Sequence, residues 1–376
     1  MSDAYRIVAI PGDGVGPEVV GAARRVVDAV AEAFGFAVAW SDVAAGGVAI
    51  DAHGVAIRAE DVERCRNADA VLLGAVGGPA WSDPSSSVRP EQALFALRGG
   101  LGLFANLRPV TVHPSLLGAS PLRPELLDGV DLLIVRELTG GIYFGDRTEP
   151  AGEPGERSAL DTMPYHEREV RRIVRLACDL ARSRRGRVTQ VDKANVLATS
   201  RLWRTVTDEV ARDYPDVAVA HQLVDSCAML LVRRPASFDV MVTENLFGDI
   251  LSDEAAVLAG SLGMLPSASL GERRTAHGVF GLYEPIHGSA PDIAGQDRAN
   301  PIGTILSAAM LLRMSLGRED AAAAIEAAVG RALDDGWRTM DLADAADAHD
   351  GLVVVGTTAM ATAVIQRLAA PVGLAS

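Results

Sequence analysis

The chain has 376 residues, 49% of them hydrophobic and 22% charged, with a formal net charge of −14. That length can hold two cored domains, the apolar fraction excludes a disordered chain, and the acidic balance without a long basic run excludes a nucleic-acid-binding surface. Cys65, Cys178 and Cys227 are too scattered for a disulfide framework or a zinc motif, which points to a reducing, cytoplasmic setting.

The opening "MSDAYRIVAIPGDG" enters a strand almost at once, so no leader peptide is expected. From there, short β-branched runs alternate with helical stretches. "RIVAIPGDG" precedes "PEVVGAARRVVDAVAEAFG", and "DAVLLGAVGGP" precedes "RPEQALFALRGG" across a polar loop at 81–92. "VDLLIVREL" precedes "YHEREVRRIVRLACDLARSRR", and "RVTQVDKAN" precedes "LWRTVTDEVARDY". Strand followed by helix, repeated, predicts an α/β fold with a mainly parallel sheet. The segment at 271–281 reads as an exposed loop, and a last helix is expected over 356–370. No apolar run is long enough to span a bilayer, because charges such as Arg313 interrupt them.

"PGDGVGPE" lies where a dinucleotide fingerprint would, between a strand and a helix, but it lacks the last glycine of G-x-G-x-x-G and is not a P-loop. It reads equally as a tight glycine turn or as a ligand contact, and an ordinary Rossmann domain is not expected.

Arg98 ends the helical "PEQALFALR", Arg108 sits in "LFANLRPV", and Arg136 follows the apolar "VDLLIV" directly. Each alone is most simply a solvated surface residue, but the carboxyl ends of parallel strands are where α/β proteins bind ligands. Guanidinium groups grip carboxylates in bidentate fashion, so several in one pocket would suit a di-acid. Two glycines after Arg136 present Tyr143, a residue more often core than catalytic. Lys193 in "VDKANVL" is either a surface residue or a proton carrier. Asp225 stands among apolar residues. In "VTENLFGDILSDEAA", Asp249 and Asp253 lie four residues apart. A helix cap explains Asp249 but leaves Asp253 as a like charge one turn on, tolerable if a cation sits between them.

The segments "IPGDGVGPEVV", "LLGAVGGPAW", "LFANLRPV", "VRELTGGIYFG", "DKANVL", "NLFGDILSDEA", "GSLGMLPSASL" and "HGSAPDIAGQDRANP" cover most of the chain. As an ordered set they resemble the isocitrate/isopropylmalate dehydrogenase family of metal-dependent decarboxylating dehydrogenases, and within it the isopropylmalate branch. The resemblance implies that family's two-domain α/β fold, with a discontinuous cofactor-binding domain (1–103 and 260–376) and a substrate, metal and dimerisation domain (104–259). It implies Mg²⁺ or Mn²⁺ bound by Asp249 and Asp253, with Asp225 joining from the other subunit of a homodimer and also near the substrate. Arg98, Arg108 and Arg136 would hold the malate carboxylates, and Tyr143 and a second subunit's Lys193 would transfer protons. For NAD, the resemblance implies Gly78 and Glu91 on the nicotinamide side. It places His287, Gly288, Ser289, Ala290, Pro291, Asp292, Ile293 and Ala294 in the adenosine loop, and Asn300 near the adenine. An acid at Asp292 would accept the ribose 2′-hydroxyl and repel a 2′-phosphate, favouring NAD over NADP.

The implied reaction is oxidative decarboxylation of 3-isopropylmalate to 2-oxoisocaproate, a step toward leucine. Isocitrate enzymes carry Ser and Asn in this helix, where Gln92 and Leu94 stand here. Leu94 and Phe95 would form an apolar wall for the alkyl group, although Phe95 replaces a leucine and Ala93 a glycine of the family pattern. The alternatives are a paralogue acting on another 3-alkylmalate such as methylmalate, then tartrate or D-malate dehydrogenase. A non-catalytic regulatory subunit is disfavoured, because Tyr143, Lys193, Asp225, Asp249 and Asp253 are all present.

Overall fold

The computed structural model describes residues 4–83, 86–343 and 351–369. Pro84 and Ser85 of the 81–92 loop, and Ala370 at the end of the expected last helix, lie outside the described residues.

The chain begins β1 (Tyr5–Gly12), α1 (Gly16–Ala33), β2 (Val38–Asp42), α2 (Gly47–His53), α3 (Ala59–Arg66) and β3 (Ala70–Ala75). It continues α4 (Gln92–Leu101), β4 (Leu103–Thr111), α5 (Pro124–Leu127), β5 (Asp131–Glu137), β6 (Arg147–Ala151) and β7 (Ser158–Asp161). Then come α6 (Glu167–Arg182), β8 (Arg187–Asp192), α7 (Ala198–Ala211), β9 (Ala218–Leu223), α8 (Val224–Arg233), β10 (Val240–Thr243) and α9 (Asn245–Ala256). The last part holds β11 (Pro266–Arg274), β12 (Val279–Pro285), α10 (Ile302–Met314), α11 (Glu319–Asp334) and β13 (Trp337–Arg338). It closes with α12 (Met340–Ala343), β14 (Val353–Val354) and α13 (Thr357–Ile365).

Two compact units result. The first comprises residues 1–103, 112–124 and 256–376, and the second 104–111 and 125–255. Relative to the sequence-based boundaries, 112–124 falls in the first unit, and the second ends at Ala255.

In the first unit the strands run β2-β1-β3-β12-β11. β1 is parallel to β2 and β3, β12 is parallel to β3, and β11 is antiparallel to β12. This order is not that of a Rossmann domain. The segment expected as a loop at 271–281 is the tip of the β11–β12 hairpin, where the Thr275 amide donates to the Gly278 carbonyl at 2.8 Å. Its polar composition marked the turn but hid the strand ends on either side. β3, "AVLLGA", is buried throughout, as a strand covered on both faces should be. Val19, Val20, Ala23, Val26, Val27 and Val30 give α1 its buried stripe at helical spacing.

In the second unit the order is β4-β5-β10-β8-β9, parallel throughout except that β4 is antiparallel to β5. On α6, Val170, Ile173, Val174, Ala177, Cys178 and Ala181 face the core, and a capping box between His166 and Glu169 closes the helix start. β6 and β7 form a separate two-stranded ribbon whose residues are all exposed. Among the described residues, no helix is long and apolar enough to cross a membrane.

α1 meets β3 without side chains between them. A Cβ on Gly16 would lie 2.1 Å from the Pro11 carbonyl oxygen, and one on Gly74 would lie 2.8 Å from the Gly16 Cα. By contrast, Gly54 sits at φ +72° with open space around it. Gly16→Ala is therefore expected to lose about 1–3 kcal/mol by overpacking. Gly54→Ala should lose only the left-handed backbone cost of about 1–2 kcal/mol. Urea melts of both variants check this, and an unperturbed Gly16→Ala would contradict the close approach.

Candidate functional site

The second unit gathers five of the expected residues. Arg136 is the penultimate residue of β5 and is only 5% exposed. Its Nε donates to Asn245 Oδ1 at 3.0 Å, its Nη1 pairs with Asp249, and its guanidinium carbon lies 5.8 Å from the centre of the Tyr143 ring. Gly248 makes this possible, since a Cβ there would lie 2.6 Å from the Arg136 Cγ. The Tyr143 hydroxyl donates to the other Asp249 oxygen at 2.8 Å. Arg108, on β4, donates from Nε to Asn106 at 2.8 Å and from Nη1 to Asp253 at 3.1 Å. Two guanidinium groups thus face two carboxylates one turn apart on α9, which lowers the cost of placing like charges at that spacing.

Burial, and then the Asp249 carboxylate, push the Tyr143 phenol up to about 12. It therefore keeps its proton at neutral pH and acts as a donor. Behind it, Tyr165 fills the space left by two glycines: a Cβ on Gly141 (φ +79°) would lie 2.5 Å from the Tyr165 hydroxyl. That hydroxyl accepts from the Asn245 amide at 3.0 Å, and Asn245 donates from its side chain to the Gly140 carbonyl at 3.1 Å. Asn245, Gly248 and Tyr165 were not singled out by sequence reasoning. For Asn245 and Gly248 the sequence signal was adjacency, both being in the same motif as Asp249, whereas Tyr165 is distant in sequence.

Lys193 and Asp225 form a second pair in this unit, with Nζ and Oδ1 2.9 Å apart. The hydrogen bond from Lys193 holds the Asp225 carboxyl below its ordinary range. Hard oxygens at Asp249 and Asp253 suit a hard divalent cation. Among the described residues, no three His, Cys, Asp or Glu side chains gather closely enough to hold a metal, so Asp225 does not complete that set within one chain.

The first unit carries the remaining residues. Arg98 lies in the last turn of α4, which runs on to Leu101, beside Glu284 at 3.6 Å, and its buried Nε has no partner among the described residues. Leu94 packs onto a core cluster with Leu97, Leu101 and Leu103, whereas Phe95 is 48% exposed. Gln92, the first residue of α4, turns back to the preceding loop and donates to the Ser87 carbonyl at 3.0 Å. Gly77, next to Gly78, has a Cβ position 3.4 Å from a Glu91 carboxylate oxygen.

Val15, Leu262, His287, Gly288, Ala290, Ile293 and Asn300 line a cavity of about 510 Å³, together with Arg298, Met340 and Asp341. The distant segments around Leu262, Met340 and Asp341 reach this wall only through the fold, which is why the sequence did not suggest them. Burial keeps the His287 imidazole neutral, its Nδ1 lies 2.8 Å from the Gly288 carbonyl, and its buried Nε2 has no partner. With Nδ1 donating, Nε2 is an acceptor for a ligand N–H, and an apolar cavity with such an acceptor fits an adenine. Ser289 is buried and Asn300 donates to Asp341 at 3.0 Å, whereas Pro291 and Asp292 are exposed and Ala294 packs near Val15 and Val19.

Replacing the Asp249 carboxylate removes a hydrogen bond and a charge that both raise Tyr143, while burial stays. In Asp249→Asn, the Tyr143 pKa should fall from about 12 but remain above the ordinary value of about 10. NMR titration of ring-labelled tyrosine measures this, and an unchanged or higher value would contradict the contact.

The model of the isocitrate/isopropylmalate dehydrogenase family matches residues 6–364. The 3-isopropylmalate dehydrogenase of Anaeromyxobacter dehalogenans is 57% identical, over 97% of this chain and 99% of its own. That of Nitratidesulfovibrio vulgaris is 56% identical, over 96% and 99%. Among solved structures, isocitrate dehydrogenase from Methylococcus capsulatus superposes with a TM-score of 0.82 at 36% identity, covering 97% of this chain and 99% of that one. A β-decarboxylating dehydrogenase from Thermococcus kodakarensis gives 0.75 at 37% identity, covering 97% and 96%. The chain belongs to the isocitrate/isopropylmalate dehydrogenase family, and is a decarboxylating dehydrogenase.

Proposed function

We propose that this enzyme oxidatively decarboxylates 3-isopropylmalate to 2-oxoisocaproate in leucine biosynthesis, with NAD as hydride acceptor and Mg²⁺ or Mn²⁺ as cofactor. The observation that carries the reading is the joint setting of Arg136, Arg108 and Tyr143 around Asp249 and Asp253. It supplies cations for a malate's carboxylates, oxygens for a metal and a protonated phenol. The identity to 3-isopropylmalate dehydrogenases supports the substrate.

Asp249 and Asp253 hold the cation, and Asp225 of a second subunit completes the set. When bound, the cation supplies Lewis acidity and NAD the hydride-accepting ring. Arg98, Arg108 and Arg136 orient the substrate by its carboxylates. Lys193 takes the proton of the C2 hydroxyl. Tyr143 gives its proton to the carbon from which the carboxylate has left. Leu94 and Phe95 face the alkyl group. Gly78 and Glu91 serve the nicotinamide side, His287 to Ala294 and Asn300 the adenosine side, and Asp292 the ribose 2′-hydroxyl.

Homodimerisation rests on an exposed apolar surface beside the acids. On α8, Asp225, Met229 and Val232 share an exposed face at helical spacing, with Met229 59% exposed, and on α9 Ile250 is equally exposed at 59%. Apolar residues so placed next to metal-ligating acids suit a subunit interface that brings Asp225 to the second copy's cation. The exposed β6–β7 ribbon, with Leu160 uncovered, suits the same use, since an isolated two-stranded ribbon is marginal in water.

A panel of methyl-, ethyl-, isopropyl- and benzylmalate, assayed with Mn²⁺ and either NAD or NADP, tests the reading. Isopropylmalate with NAD should give the highest kcat/KM. Each methylene removed should cost about 1–3 kcal/mol of discrimination. A higher kcat/KM for methylmalate would assign the chain to another 3-alkylmalate, and equal use of NADP would contradict the role of Asp292.

Mixing inactive Lys193→Ala protein with inactive Arg136→Ala protein tests the shared site. In a mixed dimer one site carries both lesions and the other carries neither, so activity should return. Absence of recovery despite demonstrated subunit exchange would place Lys193 in the site of its own chain.

A further inference from the structure

The "PGDGVGPE" motif reads from sequence as either a turn or a ligand contact. Its geometry points to a third role. Asp13 is 2% exposed, and its carboxylate accepts from the amides of Gly47 (2.8 Å), Val48 (2.9 Å) and Gly77 (2.7 Å). Its own amide donates to the Ala75 carbonyl at 2.8 Å. Two residues on, the Val15 amide donates to the Ser289 carbonyl at 2.8 Å, and Gly14, at φ +59°, has no room for a Cβ, which would lie 2.0 Å from that carbonyl oxygen. In the first turn of α1, Glu18 spans the amides of Gly295 and Asp297, the latter at 2.9 Å.

The loop that Glu18 grips is strained. Ala290 (φ 36°) and Asp297 (φ 54°) are non-glycine residues in the left-handed region. Such conformations persist only where neighbours over-determine them. On its other side the loop is tied to α13, through the Thr358 amide donating to Asp297 at 2.8 Å.

We propose that Asp13 and Glu18 are positioning residues for the dinucleotide. Asp13 fixes the strand-end segment leading to Gly78, and Glu18 fixes the loop from His287 to Asp297, so that one turn sets both walls before the ligand arrives. Neither carboxylate has to touch the ligand. The inference rests on the NAD reading given above. A wall ordered in advance spares the binding step the cost of ordering it.

The test is Glu18→Ala, with Glu18→Gln as the milder variant because its carbonyl oxygen still accepts from one amide. Backbone amides of 291–297 should exchange faster in the ligand-free variant, since exchange reports local opening. The Kd for NAD and for ADP-ribose, by calorimetry, should rise about tenfold in Glu18→Ala and less in Glu18→Gln. In assays the loss should fall on the KM for NAD rather than on kcat. A lowered Tm with unchanged exchange at 291–297, or unchanged Kd values beside normal wild-type binding, would overturn the inference alone. Wild-type protein that binds neither NAD nor ADP-ribose would overturn the cofactor reading and this inference with it.

Discussion

A guanidinium taken out of water at the end of a strand must find anions and acceptors, because an unpaired buried charge costs several kcal/mol. Arg136 meets that constraint with Asn245 and Asp249, and the local architecture of the second unit follows from it. α9 has to start against the end of β5, Gly248 has to lack a side chain, and Asp249 has to turn one oxygen to the arginine. The other oxygen then accepts a hydrogen bond from the Tyr143 hydroxyl. One ion pair therefore orients a strand end, a helix start, a carboxylate and a phenol.

The same pairing lets two acids stand one turn apart on α9. Arg108 faces Asp253 as Arg136 faces Asp249, so the repulsion expected at this spacing is offset by the chain's own cations. The acids are thereby oriented in advance, and a site whose groups need little rearrangement binds its ligands without that cost. Tyr143 benefits from the arrangement too: burial beside a carboxylate keeps its proton in place at neutral pH.

Much of this was legible in the sequence. Alternating runs such as "VDLLIVREL" and "YHEREVRRIVRLACDLARSRR" gave the parallel α/β plan, because a buried strand and an amphipathic helix have different periods. Arg136 stood out because a charge directly after an apolar strand has few uses. The roles of Arg98, Tyr143, Lys193 and Asp292 came from family resemblance rather than from pattern. Features set by contacts between distant residues were not legible. Polar composition at 271–281 concealed the β11–β12 hairpin, and Asn245 and Gly248 gave no sign that they shape the Arg136 niche. Leu94 and Phe95 share one helix turn, yet Leu94 is partly buried against the core while Phe95 is about half exposed, a split that depends on what α4 packs against.

Asp249 and Asp253, each paired with an arginine, are the residues proposed to take a divalent cation. The direct measurement is Mn²⁺ binding by electron paramagnetic resonance, on wild-type protein and on Asp253→Asn, without substrate or NAD. Stoichiometric binding to the wild type is expected, with an affinity lowered about tenfold or more when the Asp253 charge is removed. Equal Mn²⁺ affinity in the two proteins would contradict it.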